Sequence, residues 1–273
     1  MIWILGEKGR LANAIYEEYS HENPLKIFRN QYLNWLDFGT KSLEEFLEKN
    51  LPPKSIIFVA AGVVDRKISP ETIHEVNVLL PVKILEATKN LDISIVTIGS
   101  ISEYFNLVED PYIESKKALS KYIENETNLQ RNLHIRLHTL YGGGTPHKDM
   151  FLGKILKSIE NQIEFNMSSG EQLREYHHVA DVSAAISAKI QRNQFGQWNL
   201  NTGKPVKLIE LAKAIFESYK LDELIKISLD YNLAGDNLGF VFPDTIKELD
   251  ICFREPVAGV ISYLRSMTTD IAG

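Results

Sequence analysis

The sequence predicts a doubly wound parallel α/β sheet followed by a smaller C-terminal lobe. Three observations carry that expectation. Short β-branched or aromatic runs alternate with longer helical patterns through the first half of the chain. Several of those runs are apolar throughout, as strands covered on both faces are. After about residue 151 the alternation gives way to helical patterns with isolated strand candidates.

Taken in order, Ile2, Trp3, Ile4 and Leu5 read as a buried strand, and residues 11–19 as a helix with Leu11, Ala14, Ile15 and Tyr19 at helical spacing. Residues 25–28 form a second strand and residues 43–51 a short helix. Residues 56–61 are almost purely apolar and read as a strand. A helix over residues 70–90 has Glu71 in its first turn and a kink at Pro81. Residues 93–98 are another buried strand, ending in Thr97-Ile98-Gly99-Ser100. Asp110 caps a helix over residues 112–126, and a strand over residues 133–140 runs into Gly142-Gly143-Gly144. Later strand candidates are residues 198–201 and 225–229. Repeated strand–helix units imply right-handed crossovers, with ligands beyond the carboxyl ends of the strands. The expected organisation is a dinucleotide-binding domain over residues 1–165, with 176–200 returning to it. Residues 166–175 and 201–273 then form a substrate-binding lobe.

The 273 residues are 44% hydrophobic and 24% charged, ordinary for a globular chain. Thirty basic against 36 acidic side chains leave a net charge of −6, which argues against nucleic acid or an anionic membrane as the main partner. A single cysteine, Cys252, excludes an intrachain disulfide and a cysteine-based metal site. No apolar run approaches the roughly 18 residues of a membrane span, and the N-terminus lacks the basic flank of a signal peptide. A cytoplasmic protein is the simplest expectation.

Gly6-Glu7-Lys8-Gly9-Arg10-Leu11-Ala12 joins the first strand to the first helix. Gly6 permits a tight turn, Gly9 lets backbone approach a pyrophosphate at the helix N-terminus, and Ala12 lets the helix pack closely. The spacing is G-x-x-G-x-x-A, not the standard G-x-G-x-x-G, so a helix-start turn without a ligand is the competing reading. Arg29 follows the second strand, where dinucleotide-binding folds place an acid for ribose hydroxyls or a cation for a 2′-phosphate. With Lys8 and Arg10 nearby, this favours NADP(H) over NAD; three ordinary solvated charges are the alternative.

Tyr112 and Lys116 lie at i and i+4, one face of a helix that follows the strand ending in Ser100. A phenol with a pKa of about 10 becomes a useful acid or base if an ammonium beside it favours the phenolate. Ser100 can hold and polarise a carbonyl oxygen, Tyr112 can exchange its proton, and Lys116 can tune Tyr112 and bond the ribose.

Joined in this order, the motifs resemble the extended short-chain dehydrogenase/reductases, the nucleotide-sugar branch of the NAD-dependent epimerase/dehydratase family, across nearly the whole chain. The resemblance covers the Gly6–Ala12 turn, Ala60-Ala61-Gly62 against the cofactor, and Asn77 as a structural asparagine. It also covers Asp37, near the adenine after a third strand, and Ser100 four residues before Tyr104. Tyr112-x-x-x-Lys116, Arg136-x-x-x-x-Tyr141-Gly142, residues 174–182 and residues 199–203 complete it. It implies a Rossmann fold, a nicotinamide cofactor, catalysis by Ser100, Tyr112 and Lys116, and cofactor contacts from Gly6, Lys8, Gly9, Arg10, Leu11, Arg29, Asp37, Ala60, Ala61, Gly62, Tyr112 and Lys116. Substrate contacts fall to Ser100, Ser102, Thr139, Tyr141 and Arg174, and a homodimer is possible.

Departures narrow the reading. Family dehydratases carry Asp-Glu directly after the active-site hydroxyl, where this chain has Ile101 and Ser102. Isoleucine exchanges no proton, which argues against dehydration. The basic first turn is closer to keto-sugar reductases, so reduction of a 4-keto-6-deoxy sugar is the leading expectation. The rivals are an epimerase with tightly bound NAD and a non-catalytic NADP-sensing protein. Arg174 either clasps a diphosphate or is solvated. His177 and His178 are neighbours on a strand, face opposite ways and make a poor metal pair. The Gly142-Gly143-Gly144 loop either lines the sugar site or is a flexible exit.

Overall fold

In the computed structural model, which describes residues 1–105, 110–125, 131–228 and 239–268, the chain divides into two units. The first takes in residues 1–104, 108–137 and 183–200; the second takes in 105–107, 138–182 and 201–273.

The first unit is built on β1 (Ile2–Leu5), β2 (Leu25–Ile27), β3 (Ser55–Val59), β4 (Ile93–Ser100) and β5 (Leu133–Leu137), with a last strand at Gly196–Asn199. All six are parallel, in the order β2, β1, β3, β4, β5 and the last strand. The order reverses between β1 and β3, the place where such sheets bind ligands. The side chains of β1 and β3 are buried almost throughout, which is why these strands read as nearly continuous apolar runs.

Its helices are α1 (Arg10–Glu18), α2 (Arg29–Asn34), α3 (Thr40–Asn50), α4 (Pro70–His74), α5 (Leu80–Ala87) and α6 (Pro111–Asn125). Ser69 caps α4 by accepting from the Thr72 N–H, with Pro70 in the first turn. Between α4 and α5 the chain widens into a π-turn, Glu75–Leu79. Pro81 lies just beyond and has no N–H to return to the carbonyl four residues back, so the ladder loosens where the sequence places a kink. One core packs Leu5, Ile57, Val59 and Ile95 of the sheet with Leu43 and Leu47 of α3, Ile84 of α5 and Leu119 of α6.

The expected third strand before Asp37 is not formed. Residues 29–38 instead make α2 and two further turns, closed by Asp37 N–H to Asn34 O and Phe38 N–H to Trp35 O. Trp35 stacks on Trp3 at 6.1 Å between centroids, and both meet Phe46 of α3. That aromatic packing draws the segment inward and buries Trp35.

The second unit holds more short strands after its first helix than the sequence suggested. Its strands are β6 (Thr139–Tyr141), β7 (Phe165–Met167), β8 (Leu173–Arg174) and β9 (Tyr176–His178). Counting Gly196–Asn199 as β10, the later ones are β11 (Val206–Lys207) and β12 (Ile225–Ile227). They form three two-stranded pairs: β6 with β9, β7 with β12, and β8 with β11. Helices α7 (Phe151–Asn161), α8 (Val179–Gln191), α9 (Leu208–Tyr219) and α10 (Pro256–Arg265) complete the chain, with α8 crossing the division. Ile155, Phe165, Phe216, Val260 and Leu264 are among the core residues of this unit.

The single strand read over residues 133–140 is broken at His138, so the division falls at 137/138 and the sequence reading drew it at 165. Glu126 and Leu229, the last residues of two expected elements, lie outside the described residues. Among the described residues, no helix is long and apolar enough to cross a membrane.

Leu43 is fully buried among the aromatic residues and β-strands of the first core. Leu43→Ala should cost about 2–5 kcal/mol in urea denaturation, the range for emptying such a site.

Candidate active site

The turn after β1 is built around missing side chains. Gly6 has φ +94°, and a Cβ there would lie 2.7–2.8 Å from the backbone of Ala60 and Ala61. Gly9 donates its N–H to Gly6 O across 2.7 Å and precedes α1 without any side-chain cap. The first N–H groups of α1 therefore face the turn, and Ala12 is fully buried. Bare backbone at a helix start, walled by the β3 loop, suits a pyrophosphate.

Lys8 is exposed, Arg10 half-buried and Arg29 exposed; they follow β1 and β2, whose ends are paired as Leu5 with Ile27. Glu7 shares the turn, and it and Arg29 act in opposite senses on the Tyr32 phenol. Leu11 is buried. Asp37 is exposed in its turn, with Leu36 O held by Lys83 Nζ.

Ala60, Ala61 and Gly62 continue from β3, and the chain after them is pinned by Asn77. Its side chain accepts from the Val63 N–H at 2.8 Å, and donates to Val63 O and to Ser115 Oγ of α6, each at 2.9 Å. The π-turn is what turns this amide inward, at 1% exposure. A Cβ on Gly62 would lie 3.9 Å from Lys116 Nζ, so this loop reaches the amine.

Ser100 is the last residue of β4, and α6 starts at Pro111 with Asp110 accepting from the Tyr112 and Ile113 N–H groups. Arg66 pairs with the same carboxylate. Lys116 Nζ donates to Ile98 O across 2.7 Å, two residues before Ser100, and lies 5.8 Å from the centre of the Tyr112 ring. The Ser100 side chain acts on the Tyr112 phenol and favours its ionised form, and Ser100 Oγ is 2.6 Å from Ser102 Oγ. The structure thus brings hydroxyl, phenol and amine together within the first unit.

The electrostatics differ from the expected pattern. Burial pushes the Lys116 ammonium down to about 8, opposed by the Glu103 carboxylate. Burial also pushes the Tyr112 phenol above its usual value, with Ser100 and Arg66 pulling it down and Glu103 and Asp110 pushing it up. Here desolvation of the phenolate outweighs the attraction of neighbouring cations, so the ammonium does not draw Tyr112 toward neutrality.

Sequence reasoning missed the polar layer beneath. Glu103 Oε1 accepts from the Ser100 N–H, and its Oε2 accepts from Arg136 Nε and Ser120 Oγ. An acid three residues after Ser100 is visible in the sequence, but its partners come from β5 and α6 and are not.

In the second unit, Thr139 is exposed at the start of β6. Tyr141, expected at the sugar, is fully buried: it meets His178 edge-on, and its hydroxyl occupies the place a Cβ on Gly259 would take. Its ring is part of that unit's core and leaves no surface for a ligand. Arg174 stacks on Phe105 at 5.1 Å and donates to Leu173 O. His177 is bonded to Glu175 while His178 turns to Arg254. With Gly142, Gly143 and Tyr263, His178 and Arg254 line a cavity of about 310 Å³. Among the described residues, no group of three or more His, Cys, Asp or Glu side chains is placed to hold a metal.

Lys116 is a chargeable group with a cost. Below about pH 8 it is protonated in both folded and unfolded chains, and the folded chain carries the desolvation penalty. Between there and its ordinary 10.5 the folded chain releases the proton first, and the penalty fades. Denaturation of wild type and Lys116→Met at pH 7 and pH 10.5 should therefore show wild type gaining about 2–3 kcal/mol on the variant as pH rises.

A family model described as NAD dependent epimerase/dehydratase family matches residues 11–201. Three solved structures share the fold. A dTDP-4-dehydrorhamnose reductase from Clostridium acetobutylicum is 16% identical with a TM-score of 0.76, covering 97% of this chain and 99% of the other. A UDP-N-acetylglucosamine 4-epimerase from Methanobrevibacter ruminantium is 16% identical at TM-score 0.73, covering 98% of each chain. A dTDP-glucose 4,6-dehydratase from Bacillus anthracis, in complex with NAD, is 13% identical at TM-score 0.71, covering 99% of this chain and 97% of the other. No curated protein matches.

Proposed function

The chain belongs to the NAD dependent epimerase/dehydratase family, and from that premise we propose that it is an NADP(H)-dependent reductase of a nucleotide-activated 4-keto-6-deoxy sugar. The meeting of Ser100, Tyr112 and Lys116 at the end of β4 is the observation that carries this reading.

The residues present fit a nicotinamide dinucleotide. The Gly6–Gly9 turn and the uncapped start of α1 would hold its pyrophosphate, and Ala60, Ala61 and Gly62 would flank it. Bound there, the cofactor supplies hydride to a carbonyl carbon or takes it from an alcohol. The chain's own residues handle the oxygen. Ser100 donates a hydrogen bond to the carbonyl oxygen, and Ser102, bonded to Ser100, fixes the direction of that hydroxyl. Tyr112 gives the oxygen its proton as negative charge develops there. Lys116, held to Ile98 O, offers its remaining N–H groups to ribose hydroxyls. Thr139 and Arg174 are the candidate sugar and diphosphate contacts.

Reduction is favoured over dehydration by what surrounds Ser100. Ile101 is buried and Ser102 carries no acid. The nearest carboxylate, Glu103, is already committed to three donors. Reduction needs one proton donor, which Tyr112 supplies; elimination of water needs a further acid and base. Lys8, Arg10 and Arg29 beyond the paired ends of β1 and β2 support NADP(H), since a 2′-phosphate dianion needs cations there.

The test is a panel of nucleotide-diphosphate keto-sugars with NADPH. Stoichiometric loss of cofactor absorbance is expected, with Tyr112→Phe lowering kcat by about 100-fold or more. Turnover without net cofactor change would make the enzyme an epimerase, and full activity in Tyr112→Phe would overturn the mechanism. Arg29→Ala should weaken NADPH binding roughly tenfold relative to NADH, the loss of about one charge-assisted hydrogen bond.

A further inference from the structure

Glu103 has a place in the first unit that the proposed chemistry does not use. Its side chain is 5% exposed, folded back under the end of its own strand. One carboxylate oxygen accepts from the Ser100 N–H at 2.7 Å; the other accepts from Arg136 Nε of β5 at 2.8 Å and from Ser120 Oγ of α6. Ser120 lies four residues beyond Lys116 and eight beyond Tyr112, so all three share one stripe of α6. A single carboxylate therefore ties the backbone of Ser100 to the helix face that carries the phenol and the amine.

The surroundings are built to keep it there. Thr97 and His134 are cross-strand neighbours, as are Gly99 and Arg136 two residues on, so β4 and β5 present these groups in register. His134 bonds Thr97 Oγ1 through Nδ1 at 2.8 Å and Ser120 Oγ through Nε2 at 2.9 Å. An ionised carboxylate only accepts, so Ser120 gives its proton to Glu103 and takes one from His134 Nε2; Nδ1 then accepts from Thr97. This neutral tautomer agrees with burial holding His134 down to about 3. Gly99 makes the room: a Cβ there would lie 2.6 Å from His134 Nε2 and 2.8 Å from Glu103 Oε1. Glu124 completes the pairing of Arg136 on its other side.

We propose that Glu103 is a positioning residue that clamps the Ser100 end of β4 to the Tyr112–Lys116–Ser120 face of α6. It sets the separation of hydroxyl, phenol and amine, and its charge acts on both titrating partners. The inference rests on those three residues being the reacting set. The charged and titratable groups around it are Arg136 and His134 from β5, Tyr112, Lys116 and Glu124 from α6; Glu103 raises both Lys116 and Tyr112.

The experiment compares Glu103→Gln and Glu103→Ala with wild type as full chains. Lys116 is followed by NMR of [13Cε]lysine-labelled protein, its signal assigned by Lys116→Met, and kcat and KM are measured with NADPH and a keto-sugar. Glu103→Gln keeps the shape and loses the charge, so the Lys116 midpoint should move to lower pH, with the alkaline limb of the kcat profile following. Glu103→Ala should lower kcat about 10- to 100-fold with little change in cofactor Kd, as misplacement of reacting groups does. Should Glu103→Ala fail to fold, Glu103→Gln decides alone. A Glu103→Gln protein with an unmoved Lys116 midpoint and wild-type kcat overturns the proposal and leaves a core ion pair. If wild type turns over no keto-sugar, the proposed function fails, while the Lys116 titration still decides the clamp.

Discussion

Lys116 donates to the Ile98 carbonyl across 2.7 Å from a position that is 6% exposed, and the candidate site is arranged around that bond. An ammonium there has lost nearly all its water, and the strand carbonyl returns only part of what was lost. Around the amine stand Gly62, where a Cβ would lie 3.9 Å from Nζ, and the Tyr112 ring, whose centre is 5.8 Å away. Helix α6 cannot slide along the sheet without breaking this bond, so the phenol one turn earlier is fixed relative to Ser100. Asn77 reinforces the placement from the other side by joining the Val63 backbone to Ser115, the residue next to Lys116.

Much of the first unit was legible in the sequence because its signals are local. Strands covered on both faces cannot alternate, so Ile2–Leu5 and Ser55–Val59 announce themselves as apolar runs. The helix read from Pro70, with Glu71 in its first turn, and the cap read at Asp110 place two helix starts to within a residue or so. The Gly6–Ala12 turn and the Tyr112–Lys116 spacing fall where strand and helix must meet. What failed to show depends on partners far along the chain. The stretch before Asp37 reads as a strand by analogy, yet Trp3 and Phe46 hold Trp35 in a helical turn. Tyr141 reads as a sugar contact, yet Gly259 opens a slot for its hydroxyl within the core. The Lys116 charge reads as a pull on Tyr112, yet the depth of burial, which no spacing encodes, reverses the outcome.

The second unit has a polar core of its own. Glu175, 1% exposed, accepts from Thr202 N–H and Oγ1 and is bonded to His177, which together hold its carboxyl down to about 2. His138 stands 3.8 Å from the other carboxylate oxygen and is pushed down to about 4 by burial. Both units thus bury an acid whose donors come from separate elements, Glu103 in one and Glu175 in the other. Such groups stabilise little against apolar replacements, but any shift of one element strands a charge, so they fix register.

The π-turn at Glu75–Leu79 carries a consequence for how this chain tolerates changes of length. A wide turn stores surplus residues relative to the ordinary ladder, and here the surplus is what aims Asn77 at the loop and at α6. Shortening that segment by one residue would let the ladder close into regular α-helix with its flanks still in phase, and the widening that aims Asn77 inward would be lost. The amide would leave its three partners even though Asn77 itself were kept. In this turn, chain count itself is the specification.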